Sequence, residues 1–230
     1  MTKKKSVFAL LTKWERLLWL LSVLAVVATF LIFQSKDVLS LIASLIGVSA
    51  LIFVAKGHLL GQILTVVFAI FYGIISFYFQ YYGEVITYLG MTAPMAIVAL
   101  ISWFRHPFKD TQEVEVVSKL SKKQTLWMWI LTLLITALFY FILGWLGNAN
   151  LAVSTVSITT SFLAVYLTAC RSPYYALAYA ANDIVLIILW IFAARVEIGS
   201  VPMVACFAMF LANDLYGFFN WKRMEKWQRQ

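Results

Sequence analysis

Two Asn-Asp pairs, Asn182-Asp183 and Asn213-Asp214, are the side chains of this 230-residue sequence best suited to chemistry. A carboxylate can hold a proton or a cation, and the neighbouring amide supplies a donor and an acceptor. Both pairs lie inside long apolar runs. Asp183 is twelve residues beyond Arg171, about 18 Å along a helix rising about 1.5 Å per residue. Asp214 is eight residues before Lys222, about 12 Å by the same measure. An aspartate at the centre of a spanning helix costs roughly 2.5–3.5 kcal/mol. Such a group faces the protein interior by default and marks a substrate or ion path. Three other uses of the pair stay open: a hydrogen-bond network locking helix to helix, proton or cation coupling, and an intramembrane aspartyl dyad. The last lacks the YD and GxGD contexts that such proteases carry.

The neighbours of these pairs narrow the chemistry. Tyr175, Tyr179, Asn182 and Asp183 are three to four residues apart and share one helical face. An aromatic face bearing an amide and a carboxylate suits a flat heteroaromatic ring joined to a sugar: the ring stacks, the hydroxyls hydrogen-bond, and the carboxylate favours positive charge. Asn213, Asp214 and Tyr216 are expected to complete that lining, with Gln62 and Tyr88 from the first half of the chain. Ordinary helix packing through tyrosine hydroxyls is the alternative. Glu84 follows Tyr81-Tyr82-Gly83 and is either a first-turn acid favoured by the helix dipole or, with Trp190, part of a gate or vestibule. No catalytic residue, metal site or cofactor is expected. Cys170 and Cys206 have no metal-binding spacing, His58 and His106 fall in loops, and no Walker-type loop is present.

The elements that must position these residues are membrane helices. The chain is 63% hydrophobic and 12% charged, with a mean hydropathy of +0.89, whereas a soluble domain is about 45–50% apolar and about 25% charged. The net charge of +8 does not point to nucleic acid, because Lys and Arg are confined to short segments between apolar runs. Eight runs are long enough to span, given the roughly 17–25 residues required: Leu17–Phe33, Val38–Ala55, Leu59–Phe79, Glu84–Phe104, Thr125–Leu146, Leu151–Cys170, Tyr174–Ala194 and Ser200–Asn220. The first is expected to be a retained helix and not a signal peptide. With both termini cytoplasmic, 16 of the 18 Lys and Arg residues fall on the inner side, leaving Lys36 and Arg195 outside.

A mixed-charge segment, 105–124, reads as a solvated cytoplasmic linker dividing the chain. The segments flanking it look alike. Lys56-Gly57 and Arg171-Ser172-Pro173 occupy the same place in each half, Pro94-Met95 and Pro202-Met203 lie in the third helix of each, and Trp103 and Trp221 close them. The expected plan is a basic segment and extra helix (1–37), a three-helix repeat (38–104), the linker, a connecting helix (125–147), a second three-helix repeat (148–221) and a basic tail (222–230). The connecting helix returns the chain to its starting side, so the repeats are parallel.

The run Arg171–Trp190, the Pro202-Met203 pair and Asn213-Asp214-Leu-Tyr-Gly-Phe-Phe-Asn-Trp221 together resemble the PnuC-type transporters of nicotinamide riboside. Tyr82-Gly83-Glu84, Pro94-Met95 and Trp103 extend the resemblance to essentially Val38 to Trp221. It implies a vitamin B3 transporter of the bacterial cytoplasmic membrane, with a fold similar to the SWEET sugar transporters and assembly as a homotrimer. It also implies facilitated diffusion, sustained by a cytoplasmic kinase that phosphorylates the riboside. Many members carry a Trp-x-x-Trp pair where this chain has Tyr175 and Ala178, and Gln after the first Pro-Met where it has Ala96. Relatives in the broader family carry thiamine, riboflavin or deoxyribonucleosides, and proton coupling is the alternative mode of transport. An intramembrane enzyme and a non-transporting receptor are more distant alternatives.

Overall fold

The computed structural model describes residues 10–34, 38–78, 82–109, 111–148, 150–196 and 198–230, with the side chains of Ile75, Ser76, Tyr78, Tyr82 and Glu84 left aside. The helices are α1 (Lys13–Ile32), α2 (Val38–Ala55), α3 (Leu59–Tyr78), α4 (Tyr82–Val85), α5 (Ala93–Arg105), α6 (Lys122–Trp145), α7 (Leu151–Ala169), α8 (Tyr175–Val196) and α9 (Val201–Gln228). Among the described residues, seven stretches are long and apolar enough to cross a membrane, and α3 adds a shorter apolar stretch, Leu59–Ile74. The protein is thus an all-helical, multi-pass membrane protein. Helices suit that setting because every backbone polar group is satisfied within the segment.

Local chemistry moves several boundaries from those expected. α1 starts at Lys13, not Leu17, because Thr12 and Glu15 form a capping box: Thr12 Oγ1 accepts from the Glu15 N–H and Glu15 accepts from the Thr12 N–H. Ser121 and Gln124 do the same for α6. The fourth run is not one α-helix. Between α4 and α5, Ile86–Thr92 is a π-helical turn, with the Ala93 N–H reaching back to the Tyr88 carbonyl. Pro94 lacks the N–H that would bond the Gly90 carbonyl, which favours the wider turn there. α9 continues past Asn220 to Gln228, so the basic tail is mostly its last turns. Glu225 pairs there with Lys222 and Arg229, three and four residues away.

The end of the bundle carrying Lys56, Arg105, Arg171 and the tail, hereafter the basic end, has a reciprocal construction. Each of α2 and α7 ends on a left-handed residue, Gly57 (φ 72°) and Arg171 (φ 58°). Each turn is closed the same way, by His58 N–H to the Phe53 carbonyl and Ser172 N–H to the Leu167 carbonyl, as in a Schellman motif. Trp221 Nε1 donates to the Val54 carbonyl at 2.9 Å, and Trp103 Nε1 donates to the Thr168 carbonyl at 3.0 Å. Val54 and Thr168 each stand three residues before their left-handed residue. The two indole rings meet with centroids 5.2 Å apart.

The linker, expected to be solvated, docks across this end. Val114 N–H donates to the Gly57 carbonyl and Val117 N–H to the Arg171 carbonyl, each at 2.9 Å. Gln228 clasps the same segment through Val114 and Val116, and Arg171 pairs with Glu115 at 3.2 Å. Its backbone groups thus find partners that an isolated apolar turn could not supply.

α2 and α3 pack very closely where they leave that end. A Cβ built on Gly61 would lie 2.4 Å from the Val54 nitrogen and 2.7 Å from the Phe53 carbonyl carbon. Backbone cannot give way as a side-chain tip can. Gly61→Ala is expected to cost about 1–3 kcal/mol by overpacking, lowering the thermal midpoint of detergent-purified protein by several degrees. Gly144→Ala, whose added methyl would meet Leu151 at 3.6 Å, should leave the midpoint unchanged or higher.

Candidate functional site

α7 carries six Ser and Thr residues within Ser154–Ser161, and this polar stripe decides where Asn182 points. Asn182 on α8 is buried, and its Oδ1 accepts from Ser157 Oγ and Thr160 Oγ1, each at 3.0 Å. The side chain also borders an internal cavity of about 140 Å³, room for on the order of ten waters. With the carbonyl held by α7, the amide donors are turned to that space. Asp183, the next residue, faces α9. Its carboxyl neighbours that of Asp214, and Asp183 Oδ2 has no protein donor. Both are 3% exposed. Two charged carboxylates this close in a buried site repel each other strongly, so the arrangement calls for a proton or a cationic group between them.

Six of the expected residues border the cavity: Gln62, Tyr88, Tyr179, Asn182, Asp183 and Asp214. They come from both sides of the linker. Gln62 is on α3, Tyr88 on the π-turn, Tyr179 with the Asn-Asp pair on α8, and Asp214 on α9. Tyr179 and Thr168 both border the cavity. Phe68, Tyr88 and Phe210 also border the cavity, and Tyr72 packs against Tyr88. Tyr72 and Tyr88 have ring centroids 4.5 Å apart, Phe68 meets Tyr88 edge-on at 5.9 Å, and Phe210 closes on Phe68 at 6.4 Å. The π-turn gives Tyr88 this orientation, since one extra residue in a turn rotates the side chains around the helix axis.

Four expected residues lie off the cavity wall. Tyr175 is fully buried between Tyr179 and Trp221, its ring edge-on to the indole at 4.8 Å. With Trp103, Val114 and Met224 these rings form the core that separates the cavity from the basic end. Asn213 points away from Asp214, as adjacent helical residues must, being about 100° apart. Its Nδ2 donates to Ser22 Oγ on α1 at 3.0 Å. Tyr216 lies on the same side and donates to Glu15 Oε1 at 3.1 Å. Trp190 packs against the α1–α2–α9 core around Val26, Phe30 and Phe207. The Glu84 side chain lies outside the described residues.

The cavity also has a lining that was not singled out from sequence: Thr65, Phe68, Thr87, Ser154, Ser157, Ser161 and Asn148 among others. The Ser and Thr density of Ser154–Ser161 was a visible signal for part of it. The Phe68 contribution carried none, because a phenylalanine inside an apolar run is indistinguishable from one facing lipid. Among the described residues no Lys, Arg or His borders the cavity, which reaches from Gly83 and Asn148 at the end opposite the basic one to Val54, Thr168 and Asp214. Among the described residues no three His, Cys, Asp or Glu side chains are grouped as a metal would need. The arrangement can stack a flat ring, hydrogen-bond hydroxyl groups and neutralise a positive charge. It offers no cationic side chain to a phosphate.

Known proteins give this geometry a context. Residues 37–223 match the family model described as nicotinamide mononucleotide transporter. A nicotinamide riboside transporter PnuC of Neisseria mucosa is 27% identical over 229 residues, covering 97% of this chain and 86% of that protein. One of Haemophilus influenzae is 22% identical over 189 residues, covering 82% and 80%. The crystal structure of a vitamin B3 transporter PnuC superposes with a TM-score of 0.78 at 25% identity, covering 94% of this chain and 93% of the other. With the match running through every helix that borders the cavity, the chain belongs to the PnuC-type family of transporters.

Proposed function

We propose that this protein carries nicotinamide riboside, a positively charged pyridinium joined to ribose, across the bacterial cytoplasmic membrane by facilitated diffusion. The observation that carries this is the composition of the cavity: two neighbouring carboxyl groups, the amides of Gln62, Asn148 and Asn182, hydroxyls and aromatic rings, with no basic side chain among the described residues. The family model is named for the mononucleotide and the curated relatives for the riboside. Charge decides between them. A phosphate would bring negative charge to the paired aspartates with no Lys or Arg to receive it, whereas the riboside brings a cation. Tyr179, Asn182, Asp183, Asp214, Gln62 and Tyr88 form the site in this reading, and a cytoplasmic kinase sustains net uptake by phosphorylating the product.

The architecture we infer is eight spanning helices: α1, then three, one and three, with the two triplets as parallel repeats. The reciprocal bonds Trp221 to Val54 and Trp103 to Thr168, and the matched turns at Gly57 and Arg171, support it. So does the placement of positive charge, which makes the basic end cytoplasmic. The core of Tyr175, Trp103 and Trp221 then lies on the cytoplasmic side of the cavity.

Three outcomes are expected. In a thermal-shift series on purified protein, nicotinamide riboside raises the midpoint, while nicotinamide mononucleotide, thiamine, riboflavin and deoxynucleosides at equal concentration do not. Stabilisation by the mononucleotide instead would overturn the charge argument. Asn182→Ala reduces riboside uptake about tenfold or more, as expected for a lost buried hydrogen bond of roughly 1–3 kcal/mol, at an unchanged amount of protein in the membrane. A second mode, proton coupling, is favoured by the buried pairing of Asp183 with Asp214. Kinase-free proteoliposomes separate the two: facilitated diffusion equilibrates the riboside with or without an imposed proton gradient, and accumulation above equilibrium under the gradient would establish coupling.

A further inference from the structure

Asn213, Tyr216 and Asn220 form a polar stripe on α9 that does not face the cavity. At about 100° per residue, Tyr216 and Asn220 fall within roughly 60° of Asn213, and Asp214 stands about 100° away. Every member of the stripe is bonded to a neighbouring helix. Asn213 donates to Ser22 and Tyr216 to Glu15, both on α1, and Asn220 Nδ2 donates to the Ala55 carbonyl at the end of α2 at 2.9 Å. α1 and α9 run antiparallel, so Glu15 and Ser22, two turns apart, make two rungs with Tyr216 and Asn213.

Glu15 is an unusual choice for such a contact. It is 1% exposed, with Lys56 at 3.6 Å and the Thr12 N–H as its other partners. Burying a carboxylate is expensive even when it is paired, and an apolar pair of similar volume holds two helices together as well or better. What directional bonds add is the angle at which the helices meet. α1 also packs on α9 through Val26 and Phe30 against Met203, Phe207 and Phe210. That contact supplies adhesion but tolerates small rotations, because apolar surfaces have no preferred bond direction.

We propose that Glu15 and Ser22 are positioning residues: through Tyr216 and Asn213 they set the roll of α9 and so hold Asp214 in the cavity wall opposite Asp183. The extra N-terminal helix is in this view a working part of the site and not just an anchor. The functional consequence rests on the cavity being the path of the riboside. The roll itself does not depend on that.

The test therefore has two arms. In a background with Cys170 and Cys206 replaced by alanine, Asp214→Cys and Ala212→Cys are introduced separately and their rates of modification by a small water-soluble thiol reagent are compared. Position 214 is expected to react at least tenfold faster than 212, which stands about 160° away around the helix. Adding Glu15→Gln or Tyr216→Phe should shrink that ratio severalfold, whereas Val26→Ala, which removes apolar contact on the same interface, lowers the thermal midpoint and leaves the ratio intact. An unchanged ratio in both polar variants would sink the proposal, as would a change no larger than that in Val26→Ala. In the second arm, nicotinamide riboside affinity is measured by calorimetry on the cysteine-replete protein. Glu15→Gln and Tyr216→Phe should each weaken it about fivefold or more, with the double variant no worse than the poorer single one because both act on one bond. A wild-type protein that does not bind the riboside, together with a collapsed labelling ratio, would remove the substrate assignment and leave the positioning role standing.

Discussion

Two carboxyl groups inside a bundle of apolar helices must meet polar partners, water or a counter-charge, and much of the arrangement around α7, α8 and α9 comes from that requirement. Asp183 meets Asp214, and each is within reach of the cavity. Asn182 is held by two hydroxyls of α7, which keeps its amide donors beside the carboxyl pair. Removing the carboxyl groups from water is offset only if something polar or positively charged arrives between them. A site of this kind is incomplete without an occupant, which is what a carrier requires: affinity enough to admit a ligand, with an environment that does not satisfy itself too well in its absence.

Around this centre the structure separates polar tasks by helical face. On α9 the Asp214 face belongs to the cavity, the Asn213–Tyr216–Asn220 face to α1 and α2, and the Gly217–Trp221 face to Tyr175. Gly217 lets the last contact form: a Cβ there would lie 3.0 Å from the Tyr175 hydroxyl. The face toward α1 and α2 uses hydrogen bonds, which have a direction, and in lipid such bonds help to orient helices, since lipid tails are as apolar as the side chains they touch. The apolar residues of α6, such as Leu133 and Phe141, accordingly turn outward.

The basic end joins the segments before and after the linker through hydrogen bonds and ring contacts. Two indole N–H groups, two left-handed turns and one extended stretch of linker are enough. The two indole bonds are buried, and the carbonyls they reach also accept from the Gly57 and Arg171 N–H groups of the two turns.

Membrane location, helical class, nearly all the helix positions and the placement of charge were legible in the sequence alone, because length, hydropathy and Lys/Arg distribution are summed properties that need no neighbour. Asn182, Asp183 and Asp214, which border the cavity, could be singled out for a similar reason: a polar group in an apolar run is conspicuous wherever it points. Only the tertiary structure decided that Asn213 and Tyr216 serve α1, that Tyr175 belongs to the core beneath the cavity, and that Phe68 and the hydroxyls of Ser154–Ser161 belong to its wall. Residues one apart on a helix point about 100° apart, so adjacency in the chain says nothing about which neighbour each will meet. That depends on the roll of α8 and α9 against the helices beside them, and the roll is fixed by bonds between residues as far apart in sequence as Glu15 and Tyr216.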